Sequence, residues 1–498
     1  MLRQTTAIPA CLILLAAIFS VPKGIAAPLR QTSAGAPDDP CLPFAMPPAD
    51  DLFGSSRKVF AHYFYPFPLS VGNKTASDDY YNVNYLNKNG ESNKWSAQGG
   101  YLRQRPLPVG IGPSDKWQLL NTQREVRMAM ARGITGFTFD VLSANGDARL
   151  QMLLDAAQSV DTRFKILVMP DIAALKSNAE AVVSSIATAA RSPAAYRLED
   201  GRVVVSAFNA SANSTDWWAG VIAQLKARGI AIAFVPTFLG WKGKAAAFAP
   251  LSYGLSDWGT ATAAASDAVK GDAEAAHSQY GKIFMMPVDP QQYRPKDSIY
   301  WEAGNSAAFR NAWRSSIEGG ADWVQLVTWS DFSESSEIEP YTDATLRTDI
   351  GTGFYDLNAY FATWFLTGKQ PSITHDVLYY FYRREPTDAA APSQSVPNKI
   401  VNSSPEDNIE LLAFLTSPGE LKISINGHAS TLSAPAGMTS FKIHTAPGTP
   451  VFTLSRGGSE VFSFPGPVQI FDRSGLPSGV IDMTYWSGSA STRGICSL

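Results

Sequence analysis

Asp322-Trp-Val-Gln-Leu-Val-Thr-Trp-Ser-Asp-Phe-Ser-Glu-Ser-Ser-Glu337 reads as a buried strand that runs straight into carboxylates. Trp323 to Trp329 is apolar, with the β-branched Val324, Val327 and Thr328 favouring extended backbone. Asp331 and Glu334 follow at once, then Glu337, Glu339 and Asp343. Charges beside an apolar wall must be paired, hydrated or used. Two carboxylates next to indole rings fit the acid and base that flank a glycosidic bond. The plain alternative is a helix cap, since Asp-x-x-Glu mimics a capping box.

Working outward, seven more runs share the strand texture: Lys58–Phe64, Gly133–Leu142, Phe164–Asp171, Arg202–Asn209, Ile230–Phe238, Ser252–Gly259 and Lys282–Asp289. Helix-like stretches lie between them: Gln123–Arg132, Ala148–Val160, Asn178–Arg191, Asp216–Arg228, Ala261–Tyr280 and Ser306–Glu318. Alternating β and α units imply parallel strands with crossover helices. The eight runs suit an α/β fold of the (β/α)8 TIM barrel type over residues 51–370. An open dinucleotide-binding sheet is the weaker competitor, because no Gly-x-Gly-x-x-Gly follows the first strand. Beyond residue 370, short alternating runs from Ile409 to Phe471 are punctuated by Gly, Pro, Asn and Ser. They read as a C-terminal all-β sandwich over 371–498.

A barrel gathers its strand ends at one mouth. Acids recur there: Asp140, Asp171, Asp257, Asp289, and the pair Asp331 and Glu334. Asp171 could equally cap the turn Ile172–Lys176, and Asp289 before Pro290 reads as a turn residue. His62, late in the first strand, is either a satisfied core histidine or a substrate contact. The excursion from Tyr65 to Lys116 carries Pro66, Pro68, Tyr80, Tyr81, Tyr85, Trp95, Tyr101 and Arg103, and its aromatics argue for order near that mouth.

Other chemistries find little support. The five histidines have no zinc-protease spacing, and no Cys cluster, Gly-x-Ser-x-Gly or Gly-Lys-Ser/Thr loop is present. No metal or cofactor is expected. A net charge of −3 gives no reason to invoke nucleic acid or an anionic membrane. Residues 1–27 read as a signal peptide, with Arg3, an apolar core from Ala7 to Val21, and small residues at Gly24, Ala26 and Ala27. Residues 28–50, rich in Pro, Ala and Asp, read as an N-terminal linker or an ordered tail. Secretion follows, with no stable membrane insertion. Once Cys11 leaves with the leader, Cys41 and Cys496 remain, an even count that favours one disulfide over two free thiols.

Lys58-Val-Phe-Ala-His62, Gly133-Ile-Thr-Gly-Phe137 and Val324-Gln-Leu-Val-Thr-Trp-Ser-Asp-Phe-Ser-Glu-Ser335 resemble glycoside hydrolase family 71, whose characterised members are endo-α-1,3-glucanases. The resemblance implies a (β/α)8 barrel with a β-sandwich, an inverting mechanism, and Asp331 and Glu334 as the catalytic pair. Glu334 is taken as acid and Asp331 as base. Asp140 is the nearest match to a further family aspartate. His62, Trp258 and Trp329 are expected as sugar-binding walls, with Asp171 and Asp257 among the substrate contacts. Ser330 stands where the family has Asn, and Ser333 where it has Gly. Tyr63 to Ser70 intervenes before Val71-Gly-Asn73. The expected partner is an α-glucan, met by a monomer. A hydrolase of another α-linked polysaccharide, or a polysaccharide-binding barrel without catalysis, are the rival readings.

Overall fold

Eight short runs rich in Val, Ile, Phe and Met form parallel strands that close into a barrel. They are β1 (Lys58–Tyr63), β2 (Gly136–Val141), β3 (Lys165–Pro170), β4 (Val203–Ala207), β5 (Ile232–Phe238), β6 (Gly254–Asp257), β7 (Ile283–Val288) and β8 (Trp323–Leu326). The computed structural model describes residues 39–65, 83–85, 87–107, 114–144, 147–259, 261–343 and 350–496. The leader, the first part of the 28–50 tail, Pro66, Pro68, Val71-Gly-Asn73, Tyr80 and Tyr81 lie outside the described residues.

Each strand neighbours the next in sequence, and β1 closes the ring by pairing with both β8 and β2. Phe60 sits opposite Gln325, and His62 opposite Thr138. This closure positions the site, because it sets the ends of β8, β1 and β2 side by side. Inward residues Phe60, Leu167, Val204, Val235, Met285 and Trp323 fill the interior. Each such side chain contributes roughly 1.5–3 kcal/mol on burial.

The outer helices are α1 (Trp117–Met130), α2 (Asp147–Val160), α3 (Ala179–Ala190), α4 (Thr215–Ala227), α5 (Asp272–Tyr280) and α6 (Ala307–Glu318). Their starts are legible: Asn178 caps α3 by accepting from Ala181 N–H, and Ser214 caps α4 by accepting from Trp217 N–H. The helix expected over Ala261–Tyr280 is two pieces, Ala263–Ala268 and α5, broken at Lys270-Gly271. Glycine at the junction weakens a continuous helix.

A last helix, α7 (Gly353–Thr367), is buried almost all round. It lies between the barrel and the first of two antiparallel sheets. Tyr355 Oη donates to Met128 O at 2.8 Å, and Arg132 Nε to Asp356 Oδ1 at 3.0 Å. Beyond it come β9 (Val377–Tyr382), β10 (Asn408–Leu415), β11 (Gly419–Ile425), β12 (His428–Ala434), β13 (Gly437–His444), β14 (Val451–Arg456), β15 (Ser459–Pro465) and β16 (Trp486–Ser491). One sheet runs β13-β10-β9-β16 and ends on Gly494–Ile495; the other runs β12-β11-β14-β15. Leu411 and Tyr380 from the first meet Leu421 and Phe452 from the second in a shared core.

The alternation reading missed β9, β12 and β16. β9 is buried on both faces, so Val377-Leu-Tyr-Tyr-Phe-Tyr382 shows no two-residue period. β16, after Trp486, is built of small residues with low strand preference. The run Val468–Phe471 is not a strand. Only Ile470 pairs, in an isolated bridge with Gly448.

Candidate active site

The chain after β8 folds back tightly at the barrel mouth. Trp329 N–H donates to His62 O at 2.8 Å and Glu339 N–H to Trp329 O at 3.0 Å, which ties both arms of the turn to β1. Ser330 joins them: its hydroxyl accepts from Phe64 N–H at 3.1 Å and donates to Phe64 O at 3.2 Å.

Asp331 and Glu334 stand on this turn, and their surroundings differ. Asp331 Oδ1 accepts three hydrogen bonds: from Ser333 N–H at 2.9 Å, Ser333 Oγ at 2.7 Å and Glu334 N–H at 3.2 Å. Glu334 Oε2 accepts from Gln292 Nε2 at 2.7 Å and pairs with Arg294 Nη2 at 2.8 Å. Burial, with Asp331 close by, pushes the Glu334 carboxyl up to about 6; Arg294, Lys296 and Gln292 pull it down. Tyr101, from the excursion, reaches Ser333 with its hydroxyl and packs against Tyr85 and Trp95 at 4.5 and 5.0 Å.

Asp140, at the end of β2, is buried, with Oδ2 3.6 Å from His62 Nε2. Its Oδ1 and His62 Nδ1 have no hydrogen-bond partner among the described residues. Burial lifts the Asp140 carboxyl to about 6, resisted by His62 and reinforced by Asp171 and Asp331. The His62 ring meets Trp258 edge-on at 4.8 Å, and Trp258 meets Phe208 at 4.6 Å. Trp258 and Phe208 are only half-buried, so they form an apolar wall at the ends of β6 and β4.

The expected residues therefore divide. His62, Asp140, Trp258, Asp331 and Glu334 share the mouth. Asp171 stands near Asp140, but its Oδ1 accepts from Ala174 N–H at 2.9 Å, the turn-capping contact. Asp257 Oδ1 accepts from Gly240 and Trp258 N–H at 2.8 and 3.0 Å, bracing the loops after β5 and β6. Trp329 does not form a sugar wall. Its ring turns outward and is fully buried between Phe137 and Tyr355, at 5.3 and 6.4 Å. Glu337 is buried, and burial pushes its carboxyl well up. Among the described residues, no group of three His, Cys, Asp or Glu is placed to hold a metal ion.

Sequence reading overlooked Phe208, Gln292 and Arg294. All three lie in segments that follow strand ends, the part of the chain that a barrel gathers at its mouth.

A parallel barrel whose eighth strand opens into a mostly buried, unequally held carboxyl pair has the arrangement of a glycoside hydrolase. Residues 110–497 match the sequence model of Glycosyl hydrolase family 71, and the chain belongs to that family. It is 26% identical to the glucan endo-1,3-alpha-glucosidase agn1 of Schizosaccharomyces pombe, over 72% of this chain and 88% of that protein. It is 22% identical to the ascus wall endo-1,3-alpha-glucanase of the same yeast, over 71% and 90%. Among solved structures, the GH99 endo-alpha-mannosidase from Bacteroides thetaiotaomicron in complex with BIS-TRIS-Propane aligns with TM-score 0.47 and 15% identity. That alignment covers 62% of this chain and 97% of that one. No helix among the described residues is long and apolar enough to cross a membrane.

Proposed function

We propose that this chain hydrolyses α-1,3-glucosidic bonds of an α-glucan outside the cell, with inversion at the anomeric carbon. Glu334 passes its proton to the glycosidic oxygen as the C–O bond breaks. Asp331 takes a proton from the water whose oxygen bonds the anomeric carbon on the opposite face. Asp140 holds that water, or a sugar hydroxyl, through its unpartnered Oδ1. Trp258 and Phe208 line the facing wall.

The unequal pair carries this reading. Glu334 is lifted to about 6, where a carboxyl can act as an acid near neutral pH. Asp331 accepts three hydrogen bonds on one oxygen, which suits a base. Family membership supports glycosidic hydrolysis, and the names of the two yeast relatives support the α-1,3 linkage. The leader read at residues 1–27, together with the ascus wall named for one relative, supports export.

Asp331→Asn and Glu334→Gln, made separately, should each lower α-1,3-glucan hydrolysis by about a thousandfold while circular dichroism is unchanged. A near-normal rate in either variant sinks the assignment. NMR at early times should show the β-anomer first; an initial α-anomer overturns inversion. Ser330 and Ser333 depart from the family residues within the acid turn itself, which favours one second reading: another α-linked polysaccharide. Rates on a panel of α-glucans and α-mannan separate the two.

A further inference from the structure

The chain leaving β7 reads Asp289-Pro-Gln-Gln-Tyr-Arg294 and doubles back as a hairpin, Gln292–Arg294 against Ile299–Trp301. Lys399–Ile400, from beyond the barrel, adds to its other edge. Ile481 and Met483 pack behind Tyr293 and Tyr300. Tyr485 N–H donates to Gln291 Oε1 at 2.8 Å, and Tyr293 Oη to Asn398 Oδ1 at 3.2 Å. The C-terminal part of the chain thus grips a loop of the barrel mouth.

That hairpin closes on Glu334 from main chain and side chain together. Tyr293 N–H donates to Glu334 O at 2.8 Å. Gln292 Nε2 and Arg294 Nη2 both reach Oε2, at 2.7 and 2.8 Å. No donor among the described residues bonds Oε1. The Arg294 guanidinium lies over the Trp301 ring, 5.3 Å from its centroid, which restricts its approach. We propose that Arg294, aided by Gln292, is a positioning residue that anchors Glu334 by Oε2 and leaves Oε1 to carry the catalytic proton. The proposal rests on the reading of Glu334 as the acid.

The charged and titratable groups facing Glu334 are Asp331 on its own turn, Arg294 and Lys296 on the hairpin, and Tyr101 on the excursion. Burial and Asp331 favour the protonated carboxyl; the Arg294 guanidinium opposes them. Removing Arg294 therefore makes Glu334 hold its proton to higher pH. A general acid works while protonated, so the basic limb of kcat/KM should move upward.

The test uses the full chain with α-1,3-gluco-oligosaccharide, following kcat, KM and kcat/KM against pH for wild type, R294M, R294K and E334Q. R294M should lower kcat about tenfold to a hundredfold, leave KM within a few-fold and raise the basic limb. R294K, keeping the charge without the planar fork, should fall between, and it serves if R294M does not fold. A uniform loss with both limbs unmoved overturns the proposal, as does movement of the acidic limb instead. Near-normal activity in E334Q would overturn the reading of Glu334 beneath it.

Discussion

His62 Nε2 and Asp140 Oδ2 stand 3.6 Å apart at the barrel mouth, both side chains buried, because β1 pairs with β2 in the register that sets His62 opposite Thr138. Inward-facing residues alternate along each strand, so Asp140 follows Thr138 on the same face one step nearer the mouth.

That burial makes Asp140 a stability liability at neutral pH. Its carboxyl is lifted to about 6, whereas in an unfolded chain it titrates near ~3.9. Between these values the native state holds a proton that the unfolded state has lost, so stability falls as pH rises through that window. Asp140→Asn should gain on the order of 1–3 kcal/mol at pH 7 and little at pH 4. Calorimetry should show a higher melting temperature at pH 7 and a flatter pH dependence, with hydrolysis reduced about a hundredfold. A variant less stable than wild type at pH 7 contradicts this account.

Trp258 and Trp329 should respond differently. Trp258→Ala removes a half-exposed wall beside His62, so KM should rise about tenfold with kcat little changed. Trp329→Ala empties a fully buried site between barrel and α7 and should cost about 3–5 kcal/mol of stability. Steady-state kinetics and urea denaturation separate the two. Equal stability losses would mean that Trp258 is structural as well.

A disulfide joins Cys41 to Cys496, with Cα atoms 5.5 Å apart. The same segment is held by Arg132 to Asp39 at 2.9 Å and by Tyr379 Oη to Cys41 O at 3.0 Å. Arg132 leads into β2, so this staple lies at the end of the barrel away from the acids. Replacing both cysteines by serine should lower stability by about 2–4 kcal/mol and leave kcat unchanged at room temperature. Non-reducing peptide mapping that finds two free thiols would remove the basis for this expectation.

Gly353 opens α7 against β16. A Cβ built there would lie 2.6 Å from Ser487 Cβ and 2.8 Å from Gly488 N. Gly353→Ala should push helix and strand apart and cost about 1–3 kcal/mol, read as a lower urea midpoint. An unchanged midpoint would show that this contact yields easily.

Much of the fold was legible because barrel strands punctuate the chain with apolar runs, and because the resemblance lay in continuous motifs such as Val324 to Ser335. β9 and β16 escaped because one is apolar on both faces and the other is made of small residues, so neither carries a period. The Asp331 and Glu334 pair stood out as charge beside an apolar strand. Trp329 looked like a wall from the same stretch, yet its ring turned outward beneath α7, which no local pattern announces.

Local sequence by itself determined which segments become the eight barrel strands, where acids end them, and that Asp331 and Glu334 share one turn, since each depends on residues a few positions apart. Only the tertiary structure decided that His62 faces Asp140, that Phe208 joins Trp258, and that Arg294 reaches Glu334. Those partners come from separate strands, and barrel closure with the C-terminal grip on the β7 hairpin sets their distances. Pairings of that kind arise from packing across the whole chain, not from the preferences of any one segment.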